Sequence, residues 1–331
     1  FAVTRQRPRP SRVYFAFAAL VWAVASMLLV YVALEATSAA FAFDGMSSSE
    51  DFLWRVTAAL APSLGGAVLS AADAEGPLLR LGTAPTVAAD PRASGCFPCV
   101  PWFGRLNLQF DGYGRTAWLK ATLPDASSLA LHGDGWISAW EVLAHTDDRL
   151  LCRISAPSTP SGFPFAYSAE QELLIRDGGL QIRLTLRNSD LIPMPAGLGL
   201  HPYFRRTPTT QVAFSSARIW APPVEEERGR LSALTSALGS GGPASLPDRT
   251  LDLTFIEFDG EAIIVDEVGA VRVTSEAPFL HVYAPAGAAF FCLEPVSHLP
   301  GLFLADESHG GARSLAPGEE MSLSLFVDRP H

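Results

Sequence analysis

Positive charge is scarce in this chain. Of its 331 residues, 24 are lysine or arginine against 34 aspartate or glutamate, a formal net charge of -10. Neutralising phosphates needs a basic face, so nucleic acid is not expected as a partner. The only clustered positive charge is Arg5, Arg7, Arg9 and Arg12, at the extreme N-terminus. Cysteine is scarce too: Cys96, Cys99, Cys152 and Cys292. Cys96-Phe-Pro-Cys99 has Cys-x-x-Cys spacing, but no second pair completes a zinc site, and its apolar surroundings favour buried packing over redox chemistry. The chain also lacks a Gly-x-Ser-x-Gly elbow, a phosphate loop and a His-Glu-x-x-His motif. His132, His201 and His281 are far apart in sequence and offer no short-range ligand pair, so no metal is expected. No repeat of solenoid or propeller period stands out, and no amphipathic helix of several turns follows Ala72.

What is present is apolar and turn-rich. Hydrophobic residues make up 48% and charged residues 18%, enough for a large core. The 26 prolines and 27 glycines are spread along the chain, as in proteins of many short strands. Leu106–Phe110 alternates apolar and polar and meets a turn at Asp111-Gly112. Glu172–Arg176 and Leu180–Arg187 alternate with period two around Asp177-Gly178-Gly179, a strong hairpin signal. Val271–Thr274, Leu280–Tyr283, Ala289–Glu294 and Met321–Val327 are further strands. Pro222–Ser245, polar and then rich in Ser, Gly and Ala, reads as one long surface loop. The expected fold class is all-β: a large antiparallel β-sandwich over residues 46–331.

The N-terminal extension, residues 1–45, contains Val13–Leu34, an uncharged apolar run matching the ~20 residues of a membrane-spanning helix. Arginines precede the run and acids follow it, so an anchor here would place the body on the non-cytoplasmic side. The alternative is translation from Met46, which precedes a polar Ser-Ser-Ser-Glu-Asp, with residues 1–45 a non-native upstream extension and a cytoplasmic body. Membrane contact follows only from the first reading.

Two residues are the candidates for chemistry. His201 lies between Leu198-Gly-Leu and Pro202; the proline biases it toward extended backbone, and its imidazole titrates near neutral pH. Alone it would more often be a satisfied core histidine. Glu294 ends the apolar run Phe290-Phe-Cys-Leu ahead of Pro295, where burial would raise its pKa and make it a useful base; the bland alternative is an outward-pointing strand-end glutamate. His132, followed by Trp136 and Trp140, offers a hydrogen-bonding edge beside flat apolar rings, which suits a sugar; the bland alternative is a turn histidine beside core tryptophans. Asp252, within Leu251-Asp-Leu-Thr-Phe, reads alone as a turn-capping acid. His281 and Arg105 are single polar groups at strand-like positions.

Taken together, these stretches resemble the aldose 1-epimerases, the galactose mutarotase-like family, from about Leu60 to the C-terminus. Gly199-Leu-His-Pro-Tyr-Phe204 is similar to the family's catalytic histidine motif, and Leu131-His-Gly133 with Trp136 to its sugar-binding motif. Phe290–His298 is similar to the segment bearing the catalytic glutamate, Phe97-Pro-Cys-Val-Pro101 with Arg105 to a substrate motif, and Asp252 falls at the sugar-hydroxyl aspartate. The resemblance implies a cofactor-independent isomerase that interconverts the α and β anomers of an aldose, with Glu294 as base and His201 as acid. His132, Arg105, Asp252, His281 and Trp136 would bind the sugar. Two positions depart from the family pattern: Gly104 stands where many members have asparagine, and His281 where some have glutamine. Arg205 and Arg206, beside the histidine motif, leave open a hexose 6-phosphate or other modified sugar. A non-catalytic carbohydrate-binding sandwich is the alternative of another class. Nothing in the sequence names the sugar or the oligomeric state.

Overall fold

The computed structural model describes residues 41–45, 56–122, 129–156, 160–222 and 229–330. The apolar run Val13–Leu34 lies outside them. Among the described residues, no helix is long and apolar enough to cross a membrane. The strand Phe41–Gly45 pairs antiparallel with Val56–Ala61, so hydrogen bonding of the β-body reaches upstream of Met46.

The body is built from antiparallel sheets, as the all-β reading expects. The hairpin signal becomes Tyr167–Arg176 paired with Gly179–Asn188. Asp177 and Gly178 both take positive φ, 50° and 71°, the geometry that lets a two-residue turn follow the strand twist. The alternation then does its work. Leu173, Leu180, Ile182, Leu184 and Leu186 are fully buried on one face, while Arg149–Glu172 and Arg187–Glu320 pair across the other. Such exposed pairs contribute roughly 0–1 kcal/mol each, so burial holds this sheet. It has nine strands, with Gly179–Asn188 central against Glu320–Asp328.

An eight-stranded sheet carries the candidate site. In spatial order it runs Arg230–Ala233, Arg218–Ala221, Leu251–Ile256, Phe279–Ala284, Phe290–Val296, Gly199–Leu200 and Pro98–Cys99, with Tyr203–Arg205 also pairing to Phe290–Val296. Side chains of both large sheets, Leu184 and Leu325 from one and Phe255, Leu280 and Leu293 from the other, belong to one continuous apolar core.

Part of the expected surface loop is structured. Within residues 229–245, Arg230–Ala233 pairs with Arg218–Ala221 and Ala244–Ser245 pairs with Gln211–Ala213. All four residues of Arg230–Ala233 are exposed, so this edge strand has no apolar alternation to mark it in the sequence. The one described α-helix, Ala84–Ala89, is short and starts at a Thr83–Thr86 capping box followed by proline. All four cysteines are buried and free.

Candidate active site

Strand register assembles the site. Thr254 lies opposite His281, and His281 opposite Glu294, on three adjacent strands. Asp252 precedes Thr254 by two residues, and Cys292 precedes Glu294 by two, so each pair shares a face. His201 follows the strand Gly199–Leu200. Its backbone N–H donates to the Phe97 carbonyl at 3.0 Å, and that of Tyr203 donates to Gly95 at 2.8 Å. These bonds hold the histidine segment against residues 95–97.

His201 and Glu294 meet there. The imidazole Nε2 lies 3.4 Å from the Glu294 carboxylate Oε2, and the residues are 6% and 1% exposed. Neither Oε2 of Glu294 nor Nδ1 of His201 has a hydrogen-bond partner among the described residues. Burial pushes the Glu294 carboxyl well above its ordinary range, and the negative charge of Asp252 adds to this. Burial likewise holds the His201 imidazole well below its ordinary value, with His132 and His281 adding. Burial thus drives both groups toward their neutral forms.

Aromatic rings fix the histidine. His201 stacks on Phe97, 4.4 Å away between ring centres, and on Tyr203, 4.7 Å away, and those two rings are themselves 6.1 Å apart. Phe97 stacks in turn on Trp136 at 5.2 Å, and the Arg80 guanidinium caps Tyr203 at 3.8 Å from its ring centre. These rings crowd the imidazole, and its Nε2 lies against the Glu294 carboxylate.

Trp136, read from the sequence as a sugar contact, is 1% exposed, and its indole N–H donates to the Leu131 carbonyl at 3.0 Å. His132 stands edge-on to His201, 5.2 Å between ring centres. Its backbone N–H donates to the Gly104 carbonyl at 2.9 Å, and the Gly104 N–H donates to His132 Nδ1 at 3.2 Å. An acceptor at Nδ1 leaves the ring hydrogen on Nε2 in the neutral imidazole. Burial lowers the His132 pKa to about 3, with His281 and Arg105 adding, so the ring is neutral at physiological pH.

The same contacts explain Gly104. It has φ of 76°, and a Cβ there would lie 2.8 Å from the Pro300 Cβ. The position holds His132 through its backbone, in a conformation that disfavours a side chain. Arg105 is exposed, and its guanidinium makes no hydrogen bond or ion pair among the described residues.

His281 and Asp252 form a second pair. His281 Nε2 lies 3.3 Å from Asp252 Oδ1, and its Nδ1 is 2.8 Å from the Thr254 hydroxyl. His281 is buried, whereas the Asp252 side chain is 41% exposed. Burial pulls the Asp252 pKa upward, but its hydrogen bond to His281, together with the positive fields of His281 and Arg105, outweighs this and holds the pKa below its ordinary value.

The structure thus brings Glu294, His201, His132, Asp252 and His281 together, with Arg105 near enough to act on His132 and Asp252. Three contributors escape the sequence reading. Thr254 was within reach of it, since period two from Asp252 puts it on the same face. Cys292 carried the same period-two signal from Glu294. Arg80 carried none: it reaches Tyr203 only through the fold. His201, Cys292 and Glu294 also place one potential metal-ligating atom each within 4.8 Å of one another.

Comparison with known proteins gives the family of the chain. Residues 55–326 match the family model for aldose 1-epimerase. The chain is 33% identical over 270 residues to the uncharacterized protein YphB of Escherichia coli (strain K12), covering 75% of this chain and 89% of that one. Among solved structures, a candidate aldose 1-epimerase from Escherichia coli K12 superposes with a TM-score of 0.75 at 25% identity, covering 87% of this chain and 98% of the other. The GalM/aldose epimerase homologue from C. elegans, at 17% identity, shares the fold with a TM-score of 0.69 over 88% of this chain and 99% of that one. The chain belongs to the aldose 1-epimerase family.

Proposed function

We propose that this protein is a mutarotase, interconverting the α and β anomers of an aldose by acid–base ring opening and reclosure. The observation that carries this reading is the His201–Glu294 pair: buried, in contact at 3.4 Å, and otherwise unpartnered. A buried polar atom without a partner costs roughly 1–3 kcal/mol, a cost that folding alone gives no reason to keep. The chemistry gives one. The anomeric hydroxyl and the ring oxygen of an aldose are bonded to the same carbon, so the base serving one and the acid serving the other must be neighbours.

A proton on the Glu294 carboxyl is disposed for this. Moving it from Glu294 to His201 creates the ionised base and the protonated acid without changing the pair's net charge. Glu294 then takes the proton of the anomeric hydroxyl while His201 protonates the ring oxygen. The C1–ring-oxygen bond breaks, giving the open-chain aldehyde. Rotation about C1–C2 presents the other carbonyl face, and reclosure reverses both transfers. Each well-placed proton-transfer group typically contributes about 10²–10⁴-fold.

His132, Arg105, Asp252 and His281 hold the sugar hydroxyls on this reading, so that C1 faces the pair. Trp136 supports the site from behind, as backing for Phe97. The phosphorylated-sugar alternative loses its motive: Arg205 is paired with Asp266 at 2.7 Å, and the Arg206 guanidinium donates to the carbonyls of Pro285, Leu246 and Pro247. A binding-only sandwich would have no use for the unpartnered pair.

Polarimetry on freshly dissolved α-glucose and α-galactose, with chelator present, tests the proposal. Acceleration proportional to enzyme concentration is expected for at least one of them. No acceleration of these or of other aldoses in a panel would overturn it.

A further inference from the structure

The sequence offers no metal site because its ligand-type residues are widely separated along the chain. The sheet supplies the missing proximity. Cys292 and Glu294 project from one face of Phe290–Val296, and the Tyr203–Cys292 register brings the His201 segment beside them. One ligand atom from each of His201, Cys292 and Glu294 falls within a 4.8 Å group. Cys292 is 0% exposed, and Glu294, 1% exposed, has Oε2 directed at this group with no hydrogen-bond partner.

The geometry and charge suit a borderline-soft divalent ion. With zinc bonds of roughly 2.0–2.3 Å, a tetrahedron has ligand–ligand edges of roughly 3.3–3.6 Å. The His201–Glu294 edge is already 3.4 Å, and the remaining ones are no longer than 4.8 Å. A dication with one thiolate, one carboxylate and one neutral imidazole has no net charge, which suits a buried site, and a water would complete the tetrahedron. The thiol proton, and the carboxyl proton when present, leave to solvent as the metal bonds form. Thiolate and imidazole select zinc-type ions over magnesium or calcium, which prefer all-oxygen shells.

We infer that His201, Cys292 and Glu294 form a binding site for a zinc-type divalent cation, and that this ion and an aldose exclude one another. Metal binding stands independently of the proposed mutarotation. The exclusion rests on it, because the metal takes the lone pairs that the reaction uses.

The test uses the full chain, reduced and stripped with chelator, titrated with zinc in competition with a chromophoric chelator. One zinc per chain is expected. Cys292→Ala should weaken binding by at least roughly 100-fold, more than loss of a supporting residue around a metal costs; Cys152→Ala, in the other large sheet, should leave it unchanged. Should Cys292→Ala fail to fold, cobalt(II) on the wild-type chain decides, since a Cys292 ligand gives a near-ultraviolet thiolate-to-cobalt band. Absence of stoichiometric zinc binding, undiminished affinity in a folded Cys292→Ala, or a cobalt spectrum without that band would overturn the site. Saturating aldose should weaken zinc binding; sugar-independent affinity would overturn the exclusion. A wild-type chain that binds zinc yet never mutarotates would refute the proposed function and leave the metal site standing.

Discussion

Two histidine–carboxylate pairs lie on the same sheet, at nearly the same separation, and differ in everything else. His201–Glu294 is 3.4 Å apart and His281–Asp252 3.3 Å. In the first, Glu294 is sealed from solvent and an atom on each partner is left without a hydrogen bond. In the second, His281 is held on both ring nitrogens, by Thr254 and Asp252, and Asp252 keeps much of its side chain in water. Burial drives the Glu294 pKa up, while His281 and Arg105 hold that of Asp252 down. Separation alone therefore does not define a proton-transfer pair. On the proposed function, burial combined with missing partners leaves a proton free to move, whereas satisfied partners fix an ionised group for binding.

The sharpest way to break this contrast is to remove each pair's charge in turn. Glu294→Gln and His201→Asn should each slow mutarotation by at least 100-fold, about 2.7 kcal/mol at about 1.36 kcal/mol per decade, through kcat. Polarimetric progress curves measure this directly. Near-wild-type rates in both variants would remove the pair from the chemistry.

Burial can also be isolated from any carboxylate. His298 is fully buried, contacts the Phe103 carbonyl at 3.2 Å, and has its pKa lowered to about 4, chiefly by burial. In the unfolded chain it protonates near 6.5. As pH falls below that value, the unfolded chain binds a proton that the folded one does not, so stability drops until pH approaches about 4. Between pH 7 and 4.5 wild type should lose roughly 2–3 kcal/mol more than His298→Asn in urea unfolding. Parallel losses in the two proteins would show that burial does not perturb histidines here as the first pair requires.

Much of this was legible in the sequence, for identifiable reasons. The Asp177-Gly178 hairpin was readable because turn chemistry and alternation are local. Glu294 and His201 stood out because each is a titratable group in an apolar run beside proline. Their contact was not readable, because it comes from strand register between segments about 90 residues apart, a separation no spacing rule covers. The exposed strand Arg230–Ala233 was hidden by its polar composition. Gly104 read only as a departure from the family's asparagine, and the backbone bonds to His132 show what the position does in this fold.

On the binding side, Asp252→Asn keeps the shape of the second pair but removes its charge. It should raise KM roughly 30-fold, about 2 kcal/mol for a charged hydrogen bond, with kcat nearly unchanged. A fall in kcat comparable to that of Glu294→Gln would erase the distinction between the pairs.

The smallest expected effect tests how the second pair is held. His281 Nε2 faces Asp252, and its Nδ1 lies 2.8 Å from the Thr254 hydroxyl, its one partner on that side. Thr254 is fully buried, so no water can replace it. Thr254→Val, of nearly the same shape, would strand that nitrogen at a cost of about 1 kcal/mol, equivalent to roughly a fivefold rise in KM as the ring loses its orientation. Thr254→Ser restores the hydroxyl and should restore KM, which a packing role for the methyl group would not. Steady-state polarimetry on all three proteins separates the cases. Equal KM in wild type and Thr254→Val would mean that Asp252 alone orients His281, and the second pair would then be satisfied from one side only.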